Sequence, residues 1–215
     1  MRIVIAGGHG KIALIMIERL AAAGHEAVGI IRNPDHAAEL VALGGIPLVL
    51  DLEAIGAEEL ARDLAGADAV VFAAGAGPGS GAARKLTVDR DGAILLAEAA
   101  ERAGIRRYVM ISAHRTDDFD ADSDDVFQVY LRAKSEADAD LRGRDLDWTV
   151  IRPGGLTDEP GAGLVTLGEQ TERGQVPRAD VAAVIIEVLI TGHGVRRQLE
   201  LITGLTPVAE AVAAF

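Results

Sequence analysis

Tyr130 and Lys134 stand four residues apart in a stretch, Val126 to Arg142, whose pattern predicts a helix. That spacing puts the phenol and the ammonium on one helix face. A cation beside a phenol favours phenolate and draws a group with an ordinary pKa of about 10 toward neutrality. Such a tyrosine can protonate a carbonyl oxygen while hydride arrives from a nicotinamide, and the lysine could also hold the nicotinamide ribose. Ser112, at the carboxyl end of a predicted strand from Tyr108 to Ile111, could orient the same carbonyl. Tyr-x-x-x-Lys arises often by chance, and its plain alternative is a surface pair worth roughly 0.2–0.5 kcal/mol. The position of the helix, after that strand, favours the catalytic reading.

A second constellation opens the chain. Ile3 to Ile5 reads as a buried strand, followed by Ala6-Gly7-Gly8-His9-Gly10-Lys11-Ile12-Ala13. Gly7 would close the turn, Gly10 would let a pyrophosphate approach the main chain, and Ala13 would let the first helix pack on a sheet. Lys11 and Ile12 begin that helix, whose free N–H groups and positive dipole end suit phosphate. Gly8 and His9 complete the loop, His9 as a side chain near the phosphates rather than as a catalyst. A dinucleotide site that prefers NAD(H) wants Asp or Glu at the end of the second strand. Here Ile30-Ile31 is followed by Arg32, which can hold a 2′-phosphate by charge-assisted hydrogen bonds, so NADP(H) is expected over NAD(H). The alternative is a solvated surface arginine.

The elements needed to position these groups are legible as alternating short apolar runs and helical patterns. After the first strand come a helix from Lys11 to Ala23, a strand from Ala27 to Ile31, a helix opened by Asn33-Pro34 and running to Leu43, and a strand from Ile46 to Leu50. A helix from Glu58 to Leu64, a strand from Asp68 to Ala73, and a long helix from Ala82 to Ala103 precede Tyr108 to Ile111. Beyond the Val126 helix lie a strand from Trp148 to Ile151, a loop over 156–177, a helix from Ala179 to Thr191, a strand from Gln198 to Ile202, and a short helix from Pro207 to Ala213. Such alternation predicts an α/β fold: a single-domain, Rossmann-type, doubly wound and mainly parallel sheet, with ligands beyond the carboxyl ends of its strands. The segment 153–215 would lie on the substrate side.

Composition narrows the partners. The chain has 215 residues, a net charge of −12 and no cysteine. The charge disfavours nucleic acid and anionic membrane surfaces. The missing cysteines exclude disulfides and thiolate metal sites and suit a reducing cytoplasm. Strand-like sequence from Arg2 leaves no room for a leader, and no apolar run approaches the ~20 residues needed to cross a bilayer, so a cytoplasmic location is expected. No histidine spacing suggests a metal. The acidic run from Asp117 to Asp125 lacks the glycine and glutamate of a calcium loop and reads as a solvated loop, or as a lid discouraging anionic substrates.

Taken together, the glycine turn, Ile31-Arg32-Asn33-Pro34, Asp51-Leu52, Ala73-Ala74-Gly75, Val88 to Gly92, Val109 to Ala113, the Tyr130/Lys134 pair and Val150 to Gly154 resemble the short-chain dehydrogenase/reductase superfamily. The similarity is to its small atypical NAD(P)H-binding branch, near NmrA-like and biliverdin-reductase-B-like proteins. The resemblance implies adenine contacts near Asp51 and Leu52, and ribose contacts near Ala73, Ala74 and Gly75. It further implies nicotinamide contacts at Ser112, Ala113, Pro153, Gly154 and Gly155. The expected activity is an NADP(H)-dependent reduction of an unidentified small carbonyl, quinone or flavin-like acceptor. Alternatives are an NADP(H)-binding redox sensor and, behind it, a nucleotide-sugar epimerase or dehydratase. Two features depart from the pattern. Ser112 and Tyr130 are 18 residues apart, more than in typical members, and only about 60 residues follow the Trp148 strand.

Overall fold

The computed structural model describes residues 1–77 and 79–215. β1 (Arg2–Ala6), β2 (Glu26–Ile31), β3 (Ile46–Val49), β4 (Ala69–Phe72), β5 (Arg107–Ile111) and β6 (Asp147–Pro153) form the body of one sheet, joined by helices. Ile3, Val4, Ile5 and all of β4 are fully buried, because a parallel strand covered on both faces has no solvated side to give polar residues. α1 (Lys11–Ala22) follows β1 and buries Ile12, Ala13, Met16, Ile17 and Leu20 along one stripe. α2 (Ala37–Ala42) and α3 (Ala57–Asp63) make the next crossovers.

Ahead of β5 the expected single helix has three parts. α4 (Ala82–Arg84) passes into a π-helical stretch, Lys85–Asp91, and then into α5 (Gly92–Arg102). Wide turns of this kind often mark functional positions. Here the turn carries the buried Asp89 inward. After β5 comes α6 (Val126–Arg142), capped by Asp125, whose carboxylate accepts from the N–H groups of Phe127 and Gln128. Phe72, Tyr108 and Trp148 pack in the core, and the Tyr108 hydroxyl donates to the Ala93 carbonyl at 3.1 Å.

The expected loop over 156–177 is a correction. It contains β7 (Gly155–Thr157), β8 (Leu164–Gly168) and β9 (Gln175–Pro177). These strands of three to five residues bury only Val165 and Val176, so no apolar alternation announces them. α7 (Arg178–Thr191), β10 (Arg197–Thr203), β11 (Thr206–Pro207) and α8 (Val208–Ala213) close the chain.

The main sheet runs β11-β8-β10-β6-β5-β4-β1-β2-β3. It is parallel from β3 to β10, and only the β8 and β11 edge is antiparallel. Strand order reverses between β1 and β4, where Ala6 pairs with Phe72, and a crevice opens beyond that reversal. Among the described residues no helix is long and apolar enough to cross a membrane.

Candidate cofactor and active site

The turn after β1 leads straight into that crevice. Gly7 adopts φ +80°, and a Cβ there would lie 2.6 Å from the Ala74 Cα. Gly8 N–H donates to the Ile30 carbonyl at 2.8 Å, and Gly10 N–H closes the turn on the Gly7 carbonyl at 2.8 Å. Gly10 precedes α1 in extended conformation and offers no capping side chain, so the first-turn amides of a 12-residue helix face the groove without a partner from their own cap. Bare main chain and unsatisfied donors fit a pyrophosphate. His9 stacks on His36 with ring centroids 3.5 Å apart, and its Nε2 lies 2.7 Å from Glu39. Lys11 pairs with Asp158 at 2.5 Å. Both side chains therefore line the rim with carboxylate partners.

Beyond β2 and β3, a cleft of about 160 Å³ has Arg32, Asp51, Leu52, Ala74 and Gly75 in its wall. Asp51 shapes its own turn, accepting from Glu53 N–H at 3.0 Å. Glu53, Arg84 and Thr87 are additions that the sequence pattern did not single out. Glu53 accepts from Arg32 at 3.2 Å, from Arg84 at 2.8 Å and from the Thr87 hydroxyl at 2.7 Å. The Thr87 hydrogen bond and the two guanidinium groups hold its carboxyl below the ordinary range.

The carboxyl ends of β5 and β6 carry a buried polar network. Ser112 Oγ donates to Asp138 Oδ2 at 2.8 Å. Arg152 donates to the same oxygen through Nε at 2.9 Å, and grips Asp117 at 2.7 Å. Burial pushes the Asp138 carboxyl up, and Arg152, Ser112 and Lys134 oppose that shift. Asp138 Oδ1 is buried without a partner among the described residues. Lys134 Nζ donates to the Ile111 carbonyl at 3.2 Å and faces Asp89 at 3.4 Å. Asp89 in turn accepts from Ala76 N–H at 3.1 Å, tying α6 to the turn after β4.

Ser112 and Lys134 thus meet at the end of β5, and Tyr130 stands one turn earlier on α6. It lines a cleft of about 470 Å³ with Gly79, Ser80 and Phe127, and Lys85 sits 5.3 Å from its ring centroid. Among the described residues no hydrogen bond joins Tyr130 to Ser112 or Lys134. Burial pushes the Tyr130 phenol up, and the carboxylates of Asp89 and Asp138 push it further. The helix spacing alone predicts the opposite direction, but burial dominates, and the nearby carboxylates of Asp89 and Asp138 add to it.

Beside Ser112, His114 is pinned by its N–H to the Pro153 carbonyl at 2.9 Å. Its Nε2 lies 3.1 Å from Glu200 and 3.0 Å from the Thr171 hydroxyl. Gly154 and Gly155 are fixed by N–H bonds to Leu201 and Gly174, both at 2.9 Å. The acidic run is anchored: Asp117 to Arg152, Asp118 to Arg115 at 2.5 Å, and Asp125 as a helix cap.

Asp117 supplies a pH signature. The Arg152 hydrogen bond holds its carboxyl below the ordinary value, so its stabilisation is present above pH ~4 and lost as acid protonates it. Asp117→Asn should therefore be less stable than the wild type at pH 7 and lose less further stability between pH 5 and 3. Parallel stability curves in a pH series of denaturant melts would remove this assignment.

A sheet that reverses order over a glycine turn, with an uncapped helix facing the crevice, defines a dinucleotide-binding α/β domain. The chain belongs to the NAD(P)H-binding family, whose model matches residues 7–191. It shares 35% identity with an uncharacterized sugar epimerase, YhfK, of Bacillus subtilis, over 99% of both chains. A Bacillus halodurans structure named provisionally as an NAD-dependent epimerase/dehydratase is 36% identical and superposes with a TM-score of 0.92 over 100% of both chains. The oxidoreductase ylbE of Lactococcus lactis is 27% identical, with a TM-score of 0.85 over 100% of this chain and 96% of that one. The likeness to small atypical short-chain dehydrogenases/reductases extends along the whole chain.

Proposed function

We propose that this protein is an oxidoreductase that uses NADP(H) in preference to NAD(H) to reduce a small carbonyl or conjugated acceptor. The observation that carries the reading is one continuous edge. The glycine cradle at Gly7–Gly10, the Ser112–Lys134 end of β5 and the cavity beside Gly154 and Gly155 all lie beyond the carboxyl ends of β1, β5 and β6, parallel strands of one sheet. The name of ylbE supports the same class of reaction.

In this reading the amides around Gly10, Lys11 and Ile12 bind the pyrophosphate. Asp51 and Leu52 border the adenine, and Ala73, Ala74 and Gly75 border its ribose. Ser112, Ala113, Lys134 and Pro153 to Gly155 hold the nicotinamide end. When bound, the reduced dinucleotide supplies the hydride. Arg32 would hold the 2′-phosphate, with Arg84 as a second cation, and Glu53 is the counter-ion they exchange for it. Arg32→Ala should weaken NADPH about tenfold or more, the worth of a charge-assisted hydrogen bond, and leave NADH nearly unchanged. Equal losses for both cofactors in a fluorescence titration would refute the preference.

A second reading, a sugar epimerase, is favoured by the name of YhfK, and the epimerase/dehydratase name of the Bacillus halodurans protein agrees with its reaction class. An epimerase returns the hydride to its own substrate, so it interconverts isomers without net loss of reduced cofactor. Following NADPH absorbance across a panel of carbonyl, quinone and flavin acceptors decides between the two. Sustained oxidation supports the reductase, whereas isomer exchange with no oxidation overturns it.

A further inference from the structure

Phe127 is 62% exposed in a chain with seven aromatic residues, and it forms part of the wall of a cavity of about 330 Å³. His114, Arg115, Gly154, Gly155 and Arg173 line the same cavity. That volume sits at the lower end of the range for small-ligand sites. The cavity adjoins the glycines assigned above to the nicotinamide end, while Tyr130 opens on the other side of Phe127.

The His114 and Glu200 side chains are only 10% and 9% exposed and face each other at 3.1 Å. Thr171 N–H also donates to Glu200 Oε2 at 2.7 Å, which fixes the carboxylate independently of the histidine. With Nε2 committed to Glu200, Nδ1 is the ring position left to exchange a proton. A base oriented by a buried third group is the arrangement that proton-transfer catalysis requires. Arg115 adopts a left-handed conformation, φ 55°, uncommon for a residue with a side chain, and is neutralised by Asp118. Arg173 forms no ion pair among the described residues and is exposed at the cavity.

We propose that His114, oriented by Glu200, is the catalytic proton donor to a planar conjugated acceptor bearing an anionic group, bound against Phe127 with Arg173 reading the charge. The proposal rests on the reductase reading and names its acceptor class and acid. Hydride from the reduced dinucleotide adds to the electrophilic atom of the conjugated system. The Nδ1–H bond of the imidazolium breaks as a bond to hydrogen forms at the electronegative end of that system. Two electrons pass from the dihydronicotinamide to the acceptor, and a solvent proton restores the imidazolium. Glu200 is a positioning residue.

Two probes with one ring system and different charge, riboflavin and its 5′-phosphate, test both halves. Binding is read from flavin fluorescence on protein saturated with NADP+, which cannot reduce them. The phosphate should bind several-fold tighter than riboflavin, and Arg173→Ala should erase most of that advantage. Equal affinities in the wild type, or equal losses for both probes in the variant, would overturn the charge assignment. In turnover with NADPH, His114→Ala should lower kcat at least 100-fold, within the range for general acid catalysis, with NADPH affinity within threefold and partial rescue by added imidazole. Glu200→Gln should lower kcat with little change in KM, and Tyr130→Phe should stay within threefold. A His114→Ala enzyme within threefold of the wild type, or a Tyr130→Phe enzyme that takes the large loss, would overturn the donor. If the wild type binds the flavin phosphate but never oxidises NADPH with it or any other acceptor, the reductase reading itself fails and the donor role falls with it.

Discussion

Arg152→Met is expected to destabilise the protein by about 3–5 kcal/mol, the largest effect on stability that any single substitution in the buried network should produce. Arg152 is nearly inaccessible and bridges Asp138, which is wholly buried, and Asp117. Methionine keeps much of the side-chain volume but leaves Asp138 with only Ser112, the distant ammonium of Lys134 and a weak 3.4 Å contact from Thr116. Desolvation of an uncompensated carboxylate then dominates, and Asp138 escapes the full penalty only by taking a proton. For a chain of this size the melting temperature should fall by on the order of 10 °C. Replacing both partners, as in Arg152→Met with Asp138→Leu, should recover much of the loss, because the desolvation of the carboxylate is removed along with its partner. A single variant that melts within about 2 °C of the wild type would show that the network contributes little. The same test bears on the site, since Asp138 fixes the Ser112 hydroxyl and so orients the end of β5.

The second large effect concerns the glycine turn. Gly7→Val should weaken NADPH by at least 100-fold, or about 2.7 kcal/mol. Two penalties coincide there. The φ of +80° disfavours any side chain, and a Cβ would press 2.6 Å from Ala74 Cα, side chain against main chain. The turn can relieve this only by moving away from β4, which displaces the amides of α1 from the crevice. Gly24 gives a matched control. It has the same φ of +80°, but nothing lies within 4 Å of its missing Cβ. Gly24→Ala should therefore carry only the conformational penalty, about 1–2 kcal/mol of stability, with cofactor affinity unchanged. If the two substitutions weaken NADPH alike, close approach at Gly7 is not what shapes the site.

How much of this was legible in the sequence follows from the range over which each feature is encoded. β1, α1 and β4 are written locally, in a run of apolar residues, a helical stripe and another apolar run, and the structure places them as expected. Gly7, Gly10 and Ala13 gain meaning from lying between a strand and a helix, and the structure places them in that β1–α1 turn. The strands within 156–177 are not legible in this way, because β7 and β9 have three residues each and, among the described residues, pair with one another alone. The π-helical turn before α5 was hidden for a similar reason: its residues suit an ordinary helix, and only the burial of Asp89 against Lys134 distinguishes it.

The active end shows the same limit. Lys134 has Tyr130 four residues before it and Asp138 four residues after it, and the sequence does not say which one it serves. Tertiary contacts with Asp89 and the Ile111 carbonyl decide, and they come from other elements. His114 lies just after β5 and Glu200 in the middle of β10; they share no motif, so only the fold brings them together. A buried aspartate on the apolar stripe of α6 was the one available hint of the Arg152 network.

The central claim is that a dinucleotide lies with its pyrophosphate against the amino end of α1. A crystal grown with NADPH tests it most directly. The pyrophosphate oxygens should sit about 2.7–3.2 Å from main-chain nitrogens of residues 10–12, with the 2′-phosphate at Arg32. A dinucleotide bound elsewhere, or density at this turn that stays empty at saturating NADPH and NADH, would contradict the account.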